Sequence, residues 1–308
     1  MAFDLYFAGA GDRPVIDFKF ANNTNQLLSQ LNERSSIREW IADMKEKGHK
    51  PKLFIDSGAW SAHSKGKEVD IDDYIAFLNE YDEYFYIYAE LDKIPGEFRK
   101  PKTLEQKLEA PVISWQNYLY MKDKVKSRDK LLPVFHQGED FKWLRTMLEY
   151  THEDTGKHIP YIGISPANDS PLTGKVAFID KCFEIIKNSS NPDVKTHAFG
   201  MTSLEILEQY PFTSADSTSY LMTAINGTIM TDLGYLNVSE RRLTKDNMMF
   251  LNNKDLLEKT VSKYGFTLEE LSKDISKRTI YNIKYLLDWS NNYQYKPAKL
   301  QTHKLFDI

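Results

Sequence analysis

Three aspartates stand at the ends of short apolar runs: LFIDSGAW carries Asp56, YIYAELD carries Asp92 and FTSADSTS carries Asp216. Three further runs, LPVFHQGE, YIGISPAN and THAFGMT, end in the same kind of polar or glycine-bearing segment and bring His136, Gln137, Gly138, Gly163, Ile164, His197 and Phe199. Each run has the length and apolar content of a buried strand. In a barrel of parallel strands all six ends would face one bowl, where such folds keep their chemistry. A single aspartate after a strand is commonly a turn former or a helix cap. Three of them, beside small residues such as Ser57, Gly58, Gly138, Ser214 and Ala215, leave room for a ligand. Carboxylates sharing a pocket suit glycosyl transfer, in which one attacks or stabilises an oxocarbenium-like carbon and another handles the leaving group's proton. An ionised carboxylate also accepts hydrogen bonds from the adjacent N–H donors of a guanine-type edge. Trp60 and Phe199 could stack on such a ring, or could simply pack the core.

The elements that must position these residues alternate regularly. Strands are predicted at LYFAGAG, KLFIDSG, YIYAELD, LLPVFHQG, YIGISP, VKTHAFG and FTSADS, with an eighth around Gly227 to Met230. Between them lie helical patterns, the first from Asn25 to Lys47 with Leu27, Leu28, Leu31, Ile37, Trp40, Ile41 and Met44 at near-helical spacing. Strands too apolar to have a wet face indicate a parallel sheet covered by helices. Seven or eight such units, with no G-x-G-x-x-G fingerprint, favour an α/β fold of the closed (β/α)8 TIM-barrel type over a doubly wound sheet. Beyond Arg242 the pattern is helical only. The expected organisation is a barrel over 1–240 and a helical C-terminal extension over 241–308, packed on the barrel. In that extension Tyr281, Tyr285, Trp289 and Tyr293 form one stripe near Lys277, Arg278 and Lys284. The stripe would either track a nucleic-acid backbone or pack the helix onto the barrel wall.

The 308 residues, 41% of them hydrophobic, can bury a large core. A single cysteine, Cys182, excludes a disulfide framework and any multi-thiolate zinc site, and suits a reducing compartment. No signal-like segment or run of about 18 apolar residues occurs, so a soluble cytoplasmic protein without membrane contact is expected. The formal net charge of -4 argues against non-specific coating of nucleic acid. It is unevenly spread: from Ser239 onward thirteen Lys/Arg face nine Asp/Glu, leaving the preceding body acidic.

The order of motifs resembles that of the tRNA-guanine transglycosylase superfamily. IDSGAW is similar to its D-S-G-G-F/Y segment, AELD to A-L-D, HQGE to Q-G-G, IGIS to G-L-A and HAFG to L-M-G. Asp216, Gly227 and Thr231 keep the spacing of that family's nucleophile segment. The zinc cluster that follows the barrel in the bacterial tRNA enzymes is missing, as is the arginine of their P-T-R segment, here STSYLMT, so no zinc subdomain is expected. D-S-G-A-[FW]-S and S-x-D-S-T-S look closer to the DpdA-type DNA-guanine transglycosylases of phages and bacteria.

The resemblance implies roles. Asp216 would be the nucleophile at C1′ and Asp56 the general acid/base. Asp92 would read the N1/N2 edge of the base, and Gln137 with the Gly163-Ile164 backbone another polar edge. His136 is the alternative to Gln137 if that strand is shifted by one residue. Trp60 and Phe199 would sandwich the ring, while Ser57 and Gly138 complete the set. His197 replaces a non-ionisable family residue and is either a core histidine or a substrate contact. The implied partners are DNA, alternatively tRNA, together with free guanine and a 7-deazaguanine base. A homodimer is compatible with the resemblance, and no cofactor or metal is called for.

Overall fold

A computed structural model describes residues 3–201, 203–240 and 248–297, with side chains of the last segment from Lys254 onward. Nine strand segments form one parallel sheet: β1 (Asp4–Ala8), β2 (Gln26–Ser29), β3 (Leu53–Asp56), β4 (Phe85–Ala89), β5 (Leu131–Leu132), β6 (Val134–His136), β7 (Tyr161–Ser165), β8 (Lys195–Ala198) and β9 (Ser214–Ser217). Their spatial order is β5-β4-β3-β2-β1-β9-β8-β7-β6. The two edges, β5 and β6, are halves of one run split at Pro133, whose missing N–H interrupts the ladder. The wall therefore closes, except at the proline, into a TIM-like barrel. The gap is bridged from both sides: Glu90 N–H donates to Leu132 O at 3.0 Å and Gly163 N–H to Pro133 O at 2.8 Å. The Glu90 carboxyl also accepts from Val134 N–H at 2.9 Å.

Side chains alternate across the wall with period two. Tyr6, Phe54, Ile87, Ala89, Leu132, Val134 and Tyr161 fill the lumen. Leu53, Ile55, Tyr88, Phe135, Ile162 and Ala215 face the surrounding helices in the main core. Burial on both faces is why the strands read as continuous apolar runs.

Two sequence expectations need correction. Residues 26–29, expected to begin a helix, form β2, pairing Phe7 with Gln26 on one side and Leu28 with Ile55 on the other. Leu27 joins the lumen cluster and Leu28 the outer core, a strand's alternation hidden in a run too short to reveal its period. The helix starts only at Gln30 and runs to Lys47. The segment expected to supply the eighth strand instead forms β10 (Thr228–Thr231), paired antiparallel with β11 (Gly234–Asn237) outside the barrel. A two-residue connection permits a hairpin but no parallel crossover. The strand of Asp216 therefore closes the barrel against β1, with Tyr6 opposite Asp216.

Helices Met248–Ser262, Leu268–Lys273 and Ile275–Asn291 make up the described part of the C-terminal extension; residues 241–247 and 298–308 of that expected unit lie outside the described residues. Its aromatic stripe packs inward. Trp289 and Tyr293 meet Phe3 at 5.3 and 4.5 Å, and Trp289 Nε1–H donates to Glu208. Arg278 is buried and donates to the carbonyls of Ala224 and Leu271. No described helix is long and apolar enough to cross a membrane.

Candidate active site

On the β8–β9 side of the mouth, Ser214 and Asp216 share the face of β9 that meets His197, which sits opposite Ser214 in register. His197 is fully buried, and burial holds its pKa below the ordinary value despite the attraction of Asp216. A neutral ring carries one proton, and the acceptor-only carboxylate fixes where it lies. Nε2–H points to Asp216 Oδ1 at 3.3 Å, Ser214 donates to Nδ1 at 2.6 Å, and Tyr161 donates to Ser214 Oγ at 2.6 Å. Gly200 N–H donates to the same Oδ1 at 2.8 Å, from a backbone whose φ of 59° favours glycine. Among the described residues nothing bonds Asp216 Oδ2. One oxygen of a largely buried carboxylate is thus pinned by two donors and the other is left open.

The β3–β4 side is arranged differently. Asp56 closes β3 and accepts one bond, from Gly58 N–H at 3.0 Å. Burial, reinforced by the charge of Asp92 and to a smaller degree by that of Asp216, pushes its pKa up to about 7. Gly58 is required for this turn: φ is 79°, and a Cβ would lie 2.6 Å from Leu31 Cβ. Asp92 Oδ2 lies 3.1 Å from His136 Nε2, an ion-pair distance without hydrogen-bond alignment. Burial opposes charge on His136, but Asp92 and, more weakly, Glu139 outweigh it and raise its pKa. Glu139 accepts from His136 N–H, and burial raises its own pKa. Asp56 at the end of β3, Asp92 just after β4 and Asp216 near the end of β9 lie at the same, C-terminal rim of the parallel wall, and the charges of Asp92 and Asp216 are felt at Asp56.

Other expected site residues have structural tasks. Ser57 is buried, its Oγ facing Ala59 N–H and its carbonyl accepting from Gln30. The Gln137 amide is consumed by Ser170 Oγ, Gly174 O and Ala167 N–H, so it ties down the segment after β7. His136 is the member of that pair that reaches Asp92. Gly138 adopts φ 103° with open space around it. Gly163 makes room for Phe199, whose ring would lie 2.5 Å from an added Cβ, and Ile164 is buried with its carbonyl accepting from Phe199 N–H. Phe199 packs on Phe54 and His197, whereas Trp60, 55% exposed, meets Phe98 and His63; the two rings belong to separate aromatic groups.

Gly227 and Thr231 shape the hairpin: a Cβ at Gly227 would lie 2.8 Å from Ser239 Cβ, and the Thr231 hydroxyl bonds within the β10–β11 turn. Sequence reading missed Gly200, Tyr161 and Glu139 as participants. The glycine after Phe199 and the glutamate ending HQGE were the available signals, and nothing local marks Tyr161. The arrangement supplies a titrating carboxyl for proton transfer, a fixed carboxylate with one open oxygen, and a carboxylate–imidazole pair for a polar ring edge. The chain matches no protein-family model and no curated protein.

Proposed function

We propose that the chain is a guanine transglycosylase that exchanges guanine in DNA for a 7-deazaguanine base through a covalent deoxyribosyl intermediate on Asp216. The observation that carries this reading is the pairing, at one barrel mouth, of a pinned carboxylate with an open oxygen and a second carboxyl whose pKa is about 7. Asp216 Oδ2 attacks C1′ while the C1′–N9 bond breaks, and protonated Asp56 delivers its proton to the departing guanine. The incoming base then loses its N9 proton to Asp56 and attacks C1′, releasing Asp216. Two displacements retain configuration at C1′. Asp92, oriented beside His136, accepts from the N1/N2 donors of the base. A target nucleotide must leave the duplex stack to reach a barrel mouth. The choice of DNA rests on the motif resemblance described above.

The test offers labelled guanine with guanosine-containing DNA and, in parallel, with tRNA. Wild type should incorporate label into DNA and yield an adduct that survives denaturation. Asp216→Asn should reduce incorporation by at least about 10³-fold and abolish the adduct, with the thermal unfolding profile preserved. Label entering tRNA alone would transfer the same chemistry to the other polymer. Binding without adduct or turnover in wild type would leave a non-catalytic nucleobase-binding barrel.

A further inference from the structure

Above the ends of β3 and β4 lies a cavity of about 650 Å³ that the reaction just described engages only at its Asp92 edge. Helix Ala59–Ser64 contributes His63, the segment after it Lys67 and Glu68, and the segment after β4 Lys93, Glu97 and Phe98. His63 and Phe98 line one wall, and the exposed Trp60 borders them outside the lining. Phe98 meets Trp60 edge to face at 5.9 Å and His63 at 6.2 Å, and the Arg99 guanidinium lies over the Phe98 ring at 5.1 Å. Within the cavity Lys67 and Lys93 face Asp92, Glu68 and Glu97, and burial with nearby lysines holds the His63 pKa below its ordinary value. The rim is basic: residues 60–68 and 93–103 hold six Lys/Arg against two Glu, in a chain of net charge -4. Lys93 lies 3.5 Å from Glu68 and Lys100 pairs with Glu97, but Lys67, Arg99 and Lys102 have no ion-pair partner within 4 Å among the described residues. One exposed and two half-buried aromatic rings bordered by unneutralised cations offer the stacking faces and phosphate contacts that single-stranded nucleic acid uses. Both segments follow strand C-terminal ends, so the cavity opens beside the mouth that holds Asp56.

We propose that this cavity is a second nucleotide subsite, taking the nucleotide next to the one processed at Asp216. Its base lies against Phe98 and His63, with Trp60 beside them at the rim, and the flanking phosphates meet Lys67, Arg99 and Lys102. The inference rests on the reading that the substrate is a polynucleotide; a free nucleoside would leave the basic rim without an occupant. A strand whose target nucleotide is extruded must continue across the rim, and stacking there tolerates any base.

The experiment uses the full chain and a fluorescent, guanosine-containing single-stranded oligodeoxynucleotide, with anisotropy read over a series of salt concentrations. Arg99→Glu combined with Lys102→Glu should weaken binding about tenfold or more at low salt and flatten the log–log salt dependence by about two. Phe98→Ala should weaken it about tenfold with the slope unchanged. In base exchange, both should raise KM for the oligonucleotide and leave kcat within about twofold. Lys187→Glu, at the far end of helix Leu172–Lys187, should change nothing. Wild-type exchange with binding and slope unaffected in both variants overturns the subsite and leaves the Asp216 chemistry standing. Competition by poly-glutamate equal to that by unlabelled oligonucleotide also overturns it. A wild type that neither binds the oligonucleotide nor exchanges its base removes the underlying reading, and the subsite with it.

Discussion

On the β8–β9 side of the mouth Asp216 sits among donors: Gly200 N–H and His197 Nε2–H converge on one oxygen, and a chain through Ser214 to Tyr161 orients the imidazole. On the β3–β4 side Asp56 has a single donor, and the like charges of Asp92, Asp216 and Glu33 all act against its ionisation. Donors stabilise the ionised form, whereas burial and like charge disfavour it. The same side-chain type is therefore held with one oxygen fixed in one half of the mouth and left to titrate in the other, the division that the proposed reaction would use as nucleophile and proton carrier. The difference lies in the surrounding backbone and neighbours, since nothing distinguishes the two aspartates chemically.

This contrast can be broken most sharply at Asp56. Asp56→Asn should lower base exchange by about 10² to 10³-fold and erase the limb of the pH–rate profile near neutrality, measured by label incorporation between pH 5 and 9. A mutant that kept that limb would place the titrating group elsewhere. A smaller effect is expected at His197. His197→Phe strips partners from Ser214 and Asp216 and should cost about 1–3 kcal/mol of stability in urea unfolding, with exchange reduced about tenfold. Full stability with full activity would mean that the chain ending at Asp216 positions nothing.

The smallest effect sharpens the electrostatic half of the contrast. Because the Asp56 pKa in the folded protein is raised, the native state retains a proton that the unfolded chain has already released. Stability should therefore fall as pH rises from about 4 through about 7. Asp56→Asn removes this cost, so the mutant should be about 1–2 kcal/mol more stable than wild type at pH 8 and should lose that advantage near pH 4. A destabilised mutant at pH 8 would instead show the carboxylate to be well solvated or well paired.

Much of the barrel was legible because doubly buried parallel strands must be apolar throughout and must end where the chain turns toward a helix. Asp56, Asp92 and Asp216 stood out for the same reason, as charges that interrupt such runs. The errors fell where local pattern carries too little information. QLLS has two adjacent leucines that suit either period, and only pairing with β1 and β3 made it a strand. The run at Thr228–Thr231 has strand composition, yet its immediate neighbour in the chain was better placed to pair with it than any distant barrel edge. The C-terminal stripe suited a packing face better than a nucleic-acid surface, and Phe3 and Glu208 lie against it.

The amino-acid order by itself determined that strands and helices alternate, that the strands are doubly buried, and that carboxylates lie at or near the ends of three of them. Those properties follow from hydrophobic period and from the cost of burying a charge inside a sheet. Tertiary structure alone decided that Pro133 falls at the seam of the barrel, that His136 and not Gln137 faces Asp92, and that Asp216 is pinned while Asp56 is left to titrate. Each of these depends on which residues, far apart in the chain, supply a hydrogen bond or a like charge at a given point in space, and no local spacing encodes that.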